Sequence, residues 1–108
     1  MKRTYFLAGD VSAAKRVVDE LLLAHVEARY IHVLAKRGTP LPDLPEANLL
    51  QKIGNTRLRR FEPAIERGEV LVIADVPRER VDEIEARVSQ HVPQARVEGI
   101  EPLVPPFP

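Results

Sequence analysis

The chain opens with Thr4-Tyr5-Phe6-Leu7-Ala8, a short apolar run rich in aromatics that Gly9-Asp10 stops, which predicts a first strand over 3–8. Ala14, Val17, Val18, Leu21, Leu22 and His25 then recur at three- and four-residue spacing, with Lys15, Arg16, Asp19 and Glu20 between them. That period predicts an amphipathic helix over 11–27. Asp10 or Ser12 can cap it, because a short side-chain oxygen accepts from the free amides of a first turn. Tyr30-Ile31-His32-Val33-Leu34 is β-branched and aromatic and ends at Lys36-Arg37-Gly38, giving a second strand over 30–35.

Gly38, Pro40, Pro42 and Pro45 then fix backbone angles and remove amide donors, so 38–45 reads as a stiff extended loop. Leu49, Leu50, Ile53, Leu58, Phe61 and Ile65 suggest a helical insert over 46–67, broken near Gly54-Asn55-Thr56. Pro63 would kink a continuous helix there. Val70-Leu71-Val72-Ile73-Ala74 is the longest uninterrupted apolar run and suits a central strand, 69–76, buried on both faces. Pro77 fits a first helical turn, and Val81, Ile84, Val88 and Val92 continue at helical spacing over 78–91. Glu83 and Arg87 are spaced for an ion pair on its outer face. The polar and apolar alternation of Ala95-Arg96-Val97-Glu98-Gly99-Ile100 suits an edge strand over 95–101. Residues 102–108, with four prolines, read as an extended tail.

Strand, helix, strand, insert, strand, helix, strand is the order of a ferredoxin-like split βαβ sandwich, an α+β fold with a four-stranded antiparallel sheet as a single domain over 1–101. The two most apolar strands, the first and third, belong in its middle. Two helices cover one face of such a sheet, yet both central strands are apolar on both faces. The second face therefore requires a cover: the insert with Leu58, Phe61 and Ile65, the Leu103-Val104-Pro105-Pro106-Phe107 tail, or a second chain. An uncovered face would place Tyr5, Leu7, Val70, Val72, Phe61 and Ile65 at an interface, and a homodimer is the assembly that this predicts.

Composition narrows the chemistry. The 108 residues are 44% apolar, 30% charged and 5% aromatic, as in an ordinary globular domain, and sixteen basic side chains balance sixteen acidic ones. Such a balance creates no net field to draw in nucleic acid or an anionic membrane. Without cysteine there is no disulfide, thiolate nucleophile or cysteine zinc site. No apolar run approaches the ~20 residues of a membrane-spanning helix, and Met1-Lys2-Arg3 is not followed by a signal-peptide pattern.

Ser12 and Ser89 lie outside any nucleophile elbow, so no catalytic residue is expected. His25, His32 and His91 show no metal-ligand spacing, and no metal site is predicted. Asp75 could be a buried acid and more simply caps the following helix. The glycines form no phosphate loop, and no cofactor is expected. The basic cluster Arg57, Arg59 and Arg60, together with His32 and His91, is the candidate ligand-binding set. A ferredoxin-like sheet can also carry RNA, but Val70 to Ala74 offers no stacking aromatic, and Glu62, Glu66 and Glu69 offset the arginines.

Two stretches resemble a known family. Tyr30-Ile31-His32-Val33-Leu34-Ala35 with Gly38-Thr39-Pro40-Leu41-Pro42-Asp43-Leu44-Pro45-Glu46-Ala47 and Asn48-Leu49-Leu50-Gln51-Lys52 is similar to the first half of small proteobacterial membrane proteins of unknown function. Arg57-Leu58-Arg59-Arg60-Phe61-Glu62, Ala64-Ile65-Glu66-Arg67-Gly68-Glu69, Asp75-Val76-Pro77 with Arg80-Val81, and Pro105 to Pro108 resemble the second half. In that family a Gly/Ala-rich hydrophobic hairpin that enters the membrane separates the halves, and here only Ile53-Gly54-Asn55-Thr56 stands there. The resemblance implies a form with the hairpin replaced, or a relative that lost it. Combined with the missing catalytic constellation, it predicts a non-enzymatic regulatory or protein-interaction domain on the cytoplasmic side, whose relatives sit at the inner membrane. A small-ligand or metal sensor is the first alternative and an RNA-binding domain the second.

Overall fold

The computed structural model describes residues 1–40, 48–49 and 56–102. Among them the chain forms β1 (Lys2–Ala8), α1 (Val11–Leu23), β2 (Ile31–Leu34), β3 (Asn48–Leu49), α2 (Glu62–Glu66), β4 (Val70–Val76), α3 (Val81–His91) and β5 (Ala95–Pro102), with 3-10 turns at Ala28–Tyr30, Thr56–Phe61 and Arg78–Arg80. The four long strands lie in the order β2-β4-β1-β5, all antiparallel, which is the ferredoxin-like arrangement. β1 and β4 are central, as their apolar composition requires. The short β3 extends the sheet by pairing parallel to β2.

The α1 stripe works as its spacing predicts up to Leu21: Ala13, Ala14, Val17, Val18 and Leu21 are buried against the sheet. Asp10 supplies the cap, its Oδ1 accepting from the Ala13 amide at 2.8 Å. The helix stops at Leu23, short of the expected residue 27. His25 takes a left-handed φ of 67° and is exposed, so it does not continue the buried stripe. Its amide donates to Leu22 and that of Val26 to Leu21, which closes the last turn. Val81, Ile84 and Val88 fix α3 beside α1 on the same face, over Phe6, Ala8, Val70, Val72 and Ala74.

The second face is covered from within the chain. Tyr5, Leu7, Leu34, Leu71 and Ile73 point to it and pack under Leu58, Phe61, Ala64 and Ile65. Strand parity explains the division: Leu7 opposes Leu71, and Tyr5 opposes Ile73, on one side, while Phe6 opposes Val72, and Ala8 opposes Val70, on the other. Val70 and Val72 therefore lie beneath α1 and α3, not beside Tyr5 and Leu7. All six residues assigned to an interface are at most 4% exposed in the single chain. An uncovered sheet face, the reason for expecting a homodimer, is thus not present among the described residues.

The insert also differs from the helical expectation at its start, since Asn48 and Leu49 pair with His32 and Val33 as strand. Pro63 sits in the first turn of α2 and starts that helix rather than kinking a longer one. The break expected near Gly54, the loop beyond Pro40 and the tail beyond Pro102 fall outside the described residues. β5 is an edge strand as expected, with one irregularity: Phe6 opposes Val97 and Thr4 opposes Ile100, so Glu98 and Gly99 together face Tyr5. Gly99 has a φ of +93°, which suits it to this bulge.

Candidate functional site

The residues singled out from the sequence do not converge. His32 is on β2, on the second face. Its buried Nδ1 has no hydrogen-bond partner among the described residues. His91 ends α3 on the helical side, where Nδ1 donates to Glu20 Oε1 at 2.7 Å. Arg59 and Arg60 are exposed on the 3-10 turn that roofs the second face, and Arg57 is the second residue of the same turn. The Arg60 guanidinium lies 5.3 Å from the Tyr5 ring and 4.6 Å from the Phe61 ring. Both rings are buried, so neither can stack on a base. Asp75 does not cap α3; it accepts from Arg3 Nε at 2.8 Å and Nη2 at 3.0 Å across the central strand pair. No group of three side chains suited to a metal occurs among the described residues.

Charged side chains mostly lock elements together. Glu20 on α1 accepts from Arg87 Nε at 2.9 Å as well as from His91, so the pair expected between Glu83 and Arg87 gives way to a bridge between helices. Glu83 instead accepts from Arg80. The His91 hydrogen bond holds the Glu20 carboxyl below its usual range against the effect of desolvation, and Arg87 adds to this. Burial, with Asp82 nearby, pushes Glu85 up.

Exposed apolar side chains and a cleft lie elsewhere in the fold. Met1, Leu22 and Leu23 are the large hydrophobic side chains that remain exposed among the described residues, with Leu23 at 63%. Met1 precedes β1, and the two leucines form the last turn of α1, which leads directly into His25, Val26 and Glu27. These three, with Met1, Tyr30, Asp75, Val76, Pro77 and Arg80, line a cleft of about 140 Å³. The register explains the meeting: Lys2 opposes Val76, so the start of β1 and the end of β4 finish side by side. Arg80 builds one wall, donating to the Ala24 carbonyl at 2.8 Å and to Glu83. That contact also places a cation at the α1 C-terminus, where the exposed carbonyls favour it.

The cleft is smaller than the roughly 300–1,000 Å³ of a typical small-molecule site, and its floor of Val26, Val76, Pro77 and Tyr30 is mainly apolar. It suits one or two hydrophobic side chains of a docking segment. The sequence does carry a signal for it: three consecutive leucines on a helix point about 100° apart, so Leu21, Leu22 and Leu23 cannot all face one core. No helix among the described residues is long and apolar enough to cross a membrane. Comparison of the chain with protein-family models, with curated proteins and with solved structures finds no match.

Proposed function

We propose that this chain is a non-enzymatic regulatory or protein-interaction domain, the cytoplasmic head of a membrane-associated protein, and that it receives a partner protein at the end of the sandwich where α1 stops. The observation that carries the reading is the apolar cleft lined by Met1, Val26, Tyr30, Val76 and Pro77, just after the helix turn that exposes Leu22 and Leu23, while the apolar residues of both sheet faces are buried within the chain. Exposed apolar surface beside a shaped depression, rimmed by charge, is the usual make-up of a contact surface. The membrane setting rests on the sequence resemblance.

The test places a photoreactive residue at Leu23 and, as a control, at Glu79. A single protein captured saturably from Leu23 and not from Glu79, and lost on Leu22→Ser, is the expected result. Saturable thermal stabilisation by divalent cations, nucleotides or RNA oligonucleotides, with no protein captured, would overturn the reading in favour of a sensor or an RNA-binding domain.

A further inference from the structure

We propose that two copies of this chain pair through the outer edge of β5, antiparallel about a two-fold axis at Val97, so that Arg96 of each copy faces Glu98 of the other. This surface is separate from the cleft at the end of α1, and the inference does not depend on the reading given to that cleft.

The hydrogen-bond pattern of β5 carries the argument. β5 ends the sheet, and among the described residues no strand lies beyond it. In an antiparallel pair, hydrogen-bonded and non-hydrogen-bonded residue pairs alternate. The Gly9 amide donates to the Gln94 carbonyl at 3.2 Å, one step before Ala8 opposes Ala95, so the next bonded pair is Leu7 with Arg96. Phe6 with Val97 is then a non-bonded pair, which turns the N–H and C=O of Val97 away from β1 and out from the edge. The Ala95 amide faces the same way but donates to the Val92 carbonyl at 3.0 Å. Val97 thus presents a donor and an acceptor together at the edge, which is what a two-fold strand pair requires at its centre: the Val97 N–H of each copy donates to the Val97 C=O of the other.

Charge selects the same register. A two-fold axis perpendicular to the sheet keeps each face on its own side, so the axis passes beside a residue rather than between two. Centred on Arg96 or on Glu98, it would set like charges directly opposite each other. Centred on Val97, it sets Arg96 opposite Glu98 twice, at non-hydrogen-bonded positions of the new ladder, where facing side chains come closest. Both groups are within reach of a second chain, with side chains 60% and 32% exposed. Within the chain Arg96 meets Glu98 at 3.4 Å and Glu69 at 3.3 Å, long contacts at the surface that are readily exchanged. The bulge at Glu98 and Gly99 ends the ladder, and the opposite edge of the sheet is β3, with two residues. Pairing therefore closes as a dimer and does not grow.

Sedimentation equilibrium on the full chain decides the matter. A mass that rises with concentration from 12.2 kDa towards twice that value is expected. Val97→Pro removes the outward donor without touching the ladder to β1 and should weaken association about tenfold or more. Arg96→Glu and Glu98→Arg should each weaken it alone, because each sets like charges opposite one another. Mixed in equal amounts at physiological salt, these two variants should pair with each other, since every facing position then meets its opposite charge. A mass that stays at 12.2 kDa on concentrating, a dimer that Val97→Pro leaves intact, or charge variants that do not recover on mixing would overturn the proposal. The charge variants keep the test decisive should Val97→Pro fail to fold. None of these readouts involves Leu23, so capture of a partner there succeeds or fails separately.

Discussion

The rings of Tyr5 and Phe61 meet with centroids 5.3 Å apart and planes tilted by 37°, which joins the centre of β1 to the turn that roofs the second sheet face. Tyr5 is a strand residue and Phe61 the last residue of that 3-10 turn, so this one contact closes a layer whose two halves are far apart in sequence. Arg60 lies over both rings and shields them with a side chain whose charge stays in water.

Removing the roof should be costly. Phe61→Ala is expected to lose about 3–5 kcal/mol and Ile65→Ala about 2–5 kcal/mol, because each leaves a cavity over Tyr5, Leu7, Leu71 and Ile73. Urea denaturation measures the loss. Light scattering should show greater self-association for Phe61→Ser than for the wild type, since the substitution uncovers apolar sheet.

The Glu20 bridge predicts a defined acid limb. The folded pKa of Glu20 is lowered, so its contribution is fully present above the unfolded value of about 4.3 and is lost as pH falls through the folded value. Denaturation midpoints of wild type and Glu20→Gln should differ at about pH 5.5. The difference should shrink below that and vanish at still lower pH. A difference that grew on acidification would contradict the assignment.

Two helices end in the same closing pattern with different residues at its left-handed position. After α1 it is His25, with φ 67°, and after α2 it is Gly68, with φ 99°. A side chain is strained in this region and glycine is not. His25→Gly should therefore stabilise the fold by about 1 kcal/mol, and Gly68→Ala should destabilise it by about the same amount, both read by thermal or chemical unfolding.

Arg3 and Asp75 form a two-pronged pair in which the carboxylate is mostly shielded, at 14% side-chain exposure against 32% for the guanidinium. Asp75→Asn should cost about 1–3 kcal/mol. Arg3 makes further contacts, so a double-mutant cycle with Arg3→Gln is needed to isolate the pair, and about 1 kcal/mol of coupling is expected.

What the sequence determined by itself was the set of long elements and their order. Periodicity is a local property: the three- and four-residue spacing of Ala14, Val17, Val18 and Leu21, and the unbroken run from Val70, report burial on one stripe or on two faces whatever lies opposite. The centre of the sheet followed from the same pattern. Which partner each charge takes was decided only in three dimensions, because Glu20 meets Arg87 and His91 across 67 and 71 residues and Arg3 meets Asp75 across 72. Local spacing suggested Glu83 with Arg87 and a cap for Asp75, and the packing of α3 on α1 and of β1 on β4 overrode both. The cover of the second face was one of three options in the sequence, and only the folded insert selected Leu58, Phe61, Ala64 and Ile65. The cleft was less legible still, since Met1, Val26, Tyr30 and Val76 share no pattern along the chain. They meet because antiparallel pairing finishes β4 beside the start of β1, where α1 also stops.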